Sequence, residues 1–287
     1  MDIGYFGANL GAFDNPDSIE RLAVTAEAAG FESLWTGEHV VLIDPQRAPS
    51  PAPPRSPFVD TIATLAFLAA KTTRIKIGAG IILLPQRNPV VLAKELAGVD
   101  VLSKGRLHFG VGVGYVKGEF DALGIPFAER GARTSEHIEV IRTLWTHDQP
   151  TFDGRFTSFA GIQSRPLPVQ KPHPPIHVGG MSPAALRRAV TQGNGWYGFH
   201  QDLDATATML RALDDMATRF ERPDSLGRLQ ISVTPPGPVD RDTARRFEDL
   251  GVDRLIVMRG LADMANAGNE DAVISFVEHT ARELSLG

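Results

Sequence analysis

Two periodicities alternate along the chain. Short apolar segments of strand length are each followed by a longer segment in which apolar residues recur at helical spacing. In the first pair, Asn15 and Pro16 fit an N-cap and a first helical position, and Gly30 fits the residue after a helix end. Strands are predicted at residues 2–6, 33–36, 74–83, 106–111, 175–178, 195–199, 229–233 and 253–257, and helices at 61–70, 136–145, 203–220, 243–250 and 272–284, among others. The pattern therefore gives eight strand–helix pairs.

This alternation predicts an α/β fold. Continuously apolar strands between amphipathic helices are typical of a parallel sheet covered by helices. Eight such units in 287 residues fit a closed barrel better than an open sheet. We therefore predict a (β/α)8 TIM barrel with insertions, formed as a single domain over residues 1–287.

Composition narrows the function classes. The chain has no cysteine, which excludes disulfides and thiolate catalysis. Its net charge of −5 does not favour a nucleic-acid partner, which usually needs a basic face. No apolar run reaches the ~18 residues of a membrane span, and the first residues do not resemble a signal peptide. The histidines show no metal-ligand spacing. We expect a cytoplasmic homodimer that acts on a small molecule, without metal, nucleic acid or membrane.

Two segments interrupt the alternation. Residues 43–57 follow the second strand and contain six prolines. Because loops after barrel strands lie on the catalytic face, this segment is either a rim of the active site or a variable surface loop. Residues 151–175 lie between a helix and the fifth strand, and such loops lie on the face of the barrel opposite the catalytic one. A structural packing role is therefore favoured over a functional role for this segment.

A glycine-rich turn follows the fifth strand. Gly179 and Gly180 would let an anion approach the backbone, while Ser182 and Pro183 fit an N-cap and a first helical position. The free N–H groups of that helix start favour a phosphate. The alternative is an ordinary capped helix after a glycine turn.

Other glycines lie on the third and fourth strands. The run from Gly110 to Gly114 is not a dinucleotide fingerprint, because it reads G-x-G-x-G and no helix follows at once. Room beside a flat ring explains it better. Gly80 predicts either a bulge with close ligand approach or simple crowding of the barrel interior.

Glu38 and His39 follow the second strand. An imidazole titrates near neutral pH, so His39 is the best candidate for handling a proton. Alternatively, His39 is a structural or surface histidine, and Glu38 is a buried hydrogen-bond partner or is merely solvated.

Taken together, these motifs resemble the luciferase-like monooxygenases over nearly the whole chain up to about residue 200. The resemblance is carried by residues 26–39 (AEAAGFESLWTGEH), 77–89 (IGAGIILLPQRNP), 105–124 (GRLHFGVGVGYVKGEFDALG) and 172–180 (PHPPIHVGG). Within that family the chain is most similar to the branch that uses the deazaflavin coenzyme F420.

The resemblance implies specific roles. Gly80–Ile81 would be a non-proline cis peptide behind the deazaflavin ring, and Glu38 and His39 would lie near that ring. Tyr115 stands where a sugar-phosphate dehydrogenase branch has a proton-donating glutamate, which disfavours sugar-phosphate oxidation but leaves a hydrogen bond to a substrate carbonyl. Catalytic roles are assigned to Glu38, His39 and Tyr115, and cofactor contacts to Phe6, Gly7, Gly80, Ile81, Gly112, Gly114, Gly179, Gly180, Met181 and Ser182.

The expected function is hydride transfer between F420 and a small organic substrate. One alternative is an FMN-dependent monooxygenase that uses reduced flavin and O2, since both cofactors offer a tricyclic ring and a phosphate. A second alternative is a non-catalytic barrel that binds a flavin-like ligand. An aldolase-like barrel would need a buried lysine at a strand end, and it is disfavoured because no lysine stands at residues 6–9, 37–39, 78–81, 110–115, 179–182 or 200–201.

Overall fold

The predicted strands form a closed barrel. The computed structural model describes residues 1–261 and 269–286. Its strands are β1 (Asp2–Phe6), β2 (Ser33–Thr36), β3 (Lys76–Ala79), β4 (Ile82–Leu83), β5 (Leu107–Gly112), β6 (Phe152–Asp153), β7 (Ser158–Phe159), β8 (Ile176–Gly179), β9 (Gly195–Phe199), β10 (Gln230–Thr234) and β11 (Arg254–Val257). Strands β3 and β4 form one interrupted barrel strand, and β3 pairs in parallel with both β2 and β5, which closes the sheet. The predicted (β/α)8 barrel is confirmed.

Helices cover the outside of the barrel. They are α1 (Pro16–Ala28), α2 (Thr61–Lys71), α3 (Pro89–Leu102), α4 (Lys117–Ala122), α5 (Arg130–Thr146), α6 (Pro183–Gln192), α7 (Leu203–Arg219), α8 (Arg241–Asp249) and α9 (Glu270–Leu284). The side chains of Asn15, Asn88 and Ser182 accept backbone N–H groups at three helix starts, and a proline follows each of them. Helix starts were therefore readable from the sequence.

Some boundaries differ from the prediction. The helix predicted at 136–145 begins at Arg130. The prediction missed its first turns because they are polar and carry no apolar periodicity. Helix α4 has six residues and no side-chain cap, and was not predicted. The strand predicted at 74–83 is divided, because the Gly80–Ile81 peptide bond is cis and separates β3 from β4. That cis peptide is the one implied by the family resemblance.

Glycines make room for a tryptophan inside the barrel. Trp35 is fully buried, and its ring stacks on Tyr197 with 5.8 Å between centroids. A Cβ atom on Gly78 would lie 2.7 Å from the Trp35 ring, and one on Gly4 would lie 2.5 Å from Ser33 Oγ, the acceptor of Trp35 Nε1. Because no real Cβ fits at such distances, glycine on these strands is required by packing. The interior is filled and forms the floor on which the site lies.

Charged and imidazole side chains fill the amino-terminal end of the barrel. The guanidinium of Arg254 donates to Glu32 at 2.8 and 2.9 Å, and Lys76 also donates to Glu32 at 2.7 Å. Although burial works in the opposite direction, these partners lower the pKa of Glu32. Above them, His108 Nδ1 lies 2.9 Å from His177 Nε2. This layer closes the barrel at the end opposite the catalytic face.

The two insertions lie at opposite ends. In residues 151–175, β6 and β7 form an antiparallel hairpin that was not predicted, and the side chain of Gln170 ties the segment to Asp100 at 2.7 Å. In residues 43–57, Ala52 is fully buried and Pro51 lines the cavity described below. This placement favours the active-site rim over a variable surface loop.

Candidate active site

A cavity of about 390 Å³ opens where the barrel strands end at their carboxyl termini. This volume lies in the usual range for small-molecule sites. The predicted residues that line it are Phe6, Glu38, His39, Gly80, Ile81, Gly114, Tyr115, Gly179, Gly180 and Met181. Segments more than a hundred residues apart in sequence therefore meet in one chamber, as expected for the catalytic face of a barrel.

Three predicted contact residues do not line this cavity. Gly112 lies behind Ile81, where an added Cβ would be 1.7 Å from Ile81 Cδ1. Gly7, with φ +107°, forms the turn after β1 and faces a smaller neighbouring cavity. Ser182 uses its hydroxyl to cap α6, accepting from Ala185 N at 3.3 Å. Gly112 and Gly7 therefore shape the backbone around the site, whereas the backbone of Ser182 stays available.

The turn after β8 presents free backbone donors. Within the part of the chain that the structure describes, the N–H groups of Gly180, Met181 and Ser182 make no hydrogen bond, and all three residues are exposed. Gly180 has φ +113°, which only glycine adopts without strain. Trp196 Nε1 donates to Gly180 O at 2.9 Å and fixes the turn. A helix start with unsatisfied N–H groups is suited to an anion.

His39 is held in a defined orientation at the other side of the cavity. Its Nδ1 lies 3.2 Å from Glu119 Oε1, and the edges of its ring meet Phe58 and Tyr115 with centroid separations of 5.4 and 5.9 Å. The His39 side chain is 9% exposed. With Nδ1 donating to a carboxylate, Nε2 is the nitrogen left for chemistry.

Glu119 is the partner that sequence reasoning missed. It lies on α4 and is fully buried, and its Oε1 also accepts from Val40 N at 3.1 Å. Its Oε2 has no hydrogen-bond partner among the described residues. A buried carboxylate on the far nitrogen of an imidazole orients the ring and supports its positive charge. The only signal in the sequence was the motif Glu119-Phe120, quoted for the family resemblance without a role.

Glu38 lines the cavity, and its carboxylate is held by partners within the protein. Its carboxylate accepts from Leu83 N at 2.5 Å and from Arg87, which also pairs with Asp60 at 2.9 Å. Burial raises the pKa of Glu38, while the positive charge of Arg87 opposes that shift. Because Leu83 N and Arg87 both donate to its carboxylate, Glu38 ties β4 to the segment that follows β2. Its predicted catalytic role stays a prediction.

Tyr115 stands at the mouth of the cavity. It is 50% exposed, and burial of its hydroxyl together with the nearby Glu119 raises its pKa. The phenol is therefore protonated at neutral pH and can donate a hydrogen bond. This geometry agrees with a contact to a substrate oxygen.

Apolar walls complete the chamber. The lining residues that were not predicted are Gly37, Pro51, Phe58, Leu83, Tyr197, Phe199 and Leu261. Tyr197 is held by Thr234 at 2.6 Å between hydroxyls, and burial raises its pKa. The sequence could have predicted two of these residues. Side chains alternate along a strand, so Tyr197 and Phe199 lie on the same inward face of β9 as Gly195.

Among residues 1–261 and 269–286, no group of three or more histidine or carboxylate side chains is arranged to hold a metal ion. In the same ranges no helix has the length and apolarity to cross a membrane.

The barrel thus holds one mainly apolar chamber, lined by an imidazole in contact with a buried carboxylate and by a turn with free backbone N–H groups. The family model "Luciferase-like monooxygenase" matches residues 4–279, and the chain belongs to this family. It is similar to an uncharacterized protein of Mycobacterium tuberculosis, with 32% identity over 82% of this chain and 83% of the relative.

Two other matches name a cofactor. An FMNH2-dependent dimethylsulfone monooxygenase of Pseudomonas putida is 38% identical over 133 residues, which are 45% of this chain and 36% of the relative. The solved structure of an F420-dependent secondary alcohol dehydrogenase with an F420–acetone adduct has a TM-score of 0.78 at 17% identity, covering 99% of this chain and 98% of that one. At that identity the structural match shows the fold alone.

Proposed function

We propose that this protein transfers hydride between coenzyme F420 and a small organic alcohol or carbonyl compound. The observation that carries the proposal is one chamber with free backbone N–H groups at the Gly180 turn and an oriented imidazole, His39, among its lining residues. An anion-binding turn and a proton-handling group in one apolar chamber are what a phosphate-bearing redox cofactor and its substrate require.

The lining fits a flat ring with a phosphate. Gly80 and Ile81 form the break between β3 and β4 and line the chamber, and a Cβ on Gly80 would stand 3.1 Å from Tyr197 Cε1, in space that a ring could use. The backbone of Gly180 and Met181 would hold the phosphate. When bound, the cofactor supplies a hydride donor or acceptor at a ring carbon, and the barrel supplies position and electrostatics.

The polar side chains of the chamber then handle the substrate. In the reducing direction, a carbonyl carbon gains hydride and its oxygen gains a proton. His39 delivers that proton, with Glu119 supporting its charged form, and the hydroxyl of Tyr115 donates a hydrogen bond to the same oxygen. The mainly apolar walls, such as Phe58 and Phe199, favour a small apolar substrate and exclude water.

The FMN-dependent monooxygenase is the second candidate. The 38% identity with a dimethylsulfone monooxygenase over 133 residues favours it specifically. In that case reduced FMN and O2 would oxygenate the substrate, and His39 would stabilise reduced flavin rather than deliver a substrate proton. The F420 proposal is preferred on the motif resemblance.

The assay that tests this function is anaerobic. Protein and reduced F420 are incubated with a panel of small ketones and aldehydes, and oxidation of F420 is followed by absorbance. We expect turnover that falls by roughly two to four orders of magnitude in His39→Gln, because a positioned acid–base group contributes that much. Turnover only with reduced FMN and O2 would instead establish the second candidate. The homodimer and the cytoplasmic location stay predictions.

A further inference from the structure

A second cavity lies outside the barrel, along helix α6. It has a volume of about 710 Å³ and lies between α5, α6 and the end of α7. Helix α6 has ten residues, whereas its neighbours α5 and α7 each have seventeen. We call this cavity the α6 groove, and the residues that matter in it are Pro183, Arg187, Arg188, Arg219 and Phe220.

Arginines dominate the α6 groove. The guanidinium groups of Arg187 and Arg219 lie 4.4 and 5.8 Å from the centre of the Phe220 ring. Neither has a carboxylate partner within the described ranges, and both are exposed. Arg188 is buried and donates to Ser135 Oγ at 3.0 Å and to Gly131 O at 2.9 Å, which are neutral acceptors.

The one carboxylate that lines the groove is already neutralised. Glu139 pairs with Arg142 at 2.9 Å and also accepts from Gln192 at 2.9 Å. The groove therefore carries uncompensated positive charge in a chain whose net charge is −5. Side chains with unused positive charge around a concave surface favour an anionic ligand.

The groove begins where the phosphate turn ends. Pro183 and Ala184 line it and directly follow Ser182 in the chain. Arg187 lies about one helical turn, ~5.4 Å, below Pro183 on α6. A ligand with its phosphate on the turn could therefore extend along α6 and meet Arg187 first.

We propose that the α6 groove binds the carboxylate-bearing extension of the cofactor beyond its phosphate. This inference rests on the proposed function. The oligoglutamate tail of F420 carries several carboxylates, whereas FMN ends at its phosphate. Arg187 and Arg219 pair with tail carboxylates, and the Phe220 ring lies against both guanidinium groups. The groove is thus the part of the chain that distinguishes the two cofactors.

The test compares cofactors that differ only in the tail. F420 with several glutamates and F420-0, which has the phospholactyl group but no glutamate, are titrated by fluorescence into wild-type protein and into Arg187→Gln/Arg219→Gln. We expect the tailed form to bind more tightly in wild type, and the double variant to lose roughly fivefold to tenfold for the tailed form only, as for two exposed ion pairs. Added salt should reduce the difference between the two forms.

A matched control separates local from global charge. Arg245→Gln/Arg246→Gln removes the same charge from exposed positions on α8, and should leave all affinities unchanged. Equal affinities of wild-type protein for the two forms, or equal losses for both in the groove variant, would overturn this inference and leave the proposed function intact. Failure of both forms to bind would contradict the proposed function and the inference together.

Discussion

His39 and Glu119 are 80 positions apart in sequence, and the structure places Nδ1 of the first 3.2 Å from a carboxylate oxygen of the second. Because Nδ1 faces the carboxylate, Nε2 is the ring nitrogen that remains available to a ligand. Glu119 is fully buried, so its orientation is set by packing and by the backbone N–H of Val40. We therefore propose that acid–base chemistry by His39 depends on Glu119, a residue that does not line the cavity.

Replacing Glu119 by glutamine tests this dependence. The amide keeps the size of the side chain but cannot support a charged imidazole, so we expect kcat/KM to fall roughly 10- to 100-fold, as for other residues that orient an imidazole. Cofactor affinity should stay within about twofold, since Glu119 does not line the cavity. Steady-state kinetics and a cofactor titration on the same preparation give both values.

Asp121→Asn is the control on the same helix. Asp121 is exposed and pairs with Lys117 at 2.6 Å, so its loss should change neither quantity. If Glu119→Gln and Asp121→Asn had the same activity as wild type, the orienting role of Glu119 would be wrong.

A side chain at Gly80 should exclude the cofactor while the barrel stays folded. A Cβ there would lie 3.1 Å from Tyr197 Cε1 and 3.4 Å from Phe6 Cδ2, within the lining of the chamber. We expect Gly80→Val to weaken cofactor binding about 10- to 100-fold, because overpacking of a fitted site costs ~1–3 kcal/mol. The matched control is Gly98→Ala on α3, where an added Cβ meets nothing within 4 Å. Unchanged affinity in Gly80→Val would make Gly80 a packing residue only.

The ion pair between Arg87 and Glu38 should behave as a unit. Removing Arg87 alone leaves a buried carboxylate without its cation, so Arg87→Gln should lower the free energy of unfolding by about 3 kcal/mol. The double variant Glu38→Gln/Arg87→Gln removes the stranded charge as well and should recover most of that loss. Urea unfolding of wild type, Glu38→Gln, Arg87→Gln and the double variant measures the coupling. Simple additivity of the two single effects would show that the residues act independently.

The histidine pair at the amino-terminal end should make the fold sensitive to acid. Burial and the positive charge of Arg254 lower the pKa of His177 to about 3, and burial lowers the pKa of His108 well below its ordinary value. Because the unfolded chain takes up these protons near pH 6.5 and the folded chain does not, stability is complete above that pH and decreases as the pH falls toward 3. His177 alone should cost about 2 kcal/mol at about pH 5.

Unfolding at pH 7 and pH 5 measures this effect. His177→Gln should lose part of the acid sensitivity, whereas His279→Gln, at an exposed position on α9, should keep all of it. The same dependence on pH in wild type and in His177→Gln would exclude the buried pair as its source.

The barrel could be predicted because its strands and helix caps are local signals. Asn15, Asn88 and Ser182 mark helix starts by short-range hydrogen bonds, and these were confirmed. The divided third strand was implied by family motifs and not by periodicity, since residues 77–84 read as one apolar run. Helix α4 was missed because six residues without a cap give no measurable period.

The sequence predicted many of the glycines and polar residues that line the cavity, but not the hydrogen bonds between its side chains. Residues such as His39, Gly180 and Met181 follow strands directly, so barrel topology alone places them on one face. The contact between His39 and Glu119 depends on how α4 packs over the mouth, which no spacing in the sequence encodes. Gly112 was assigned to the cofactor because glycines on a strand look alike in sequence, yet its neighbour is Ile81.

Direct titration of the purified protein with F420 and with FMN tests the central claim most directly. Both cofactors are added under the same buffer and salt conditions, and binding is followed by fluorescence, with turnover then measured with and without O2. The account predicts that F420 binds more tightly and supports turnover without oxygen, and that Gly80→Val loses this binding. Tighter binding of FMN together with oxygen-dependent turnover would contradict it.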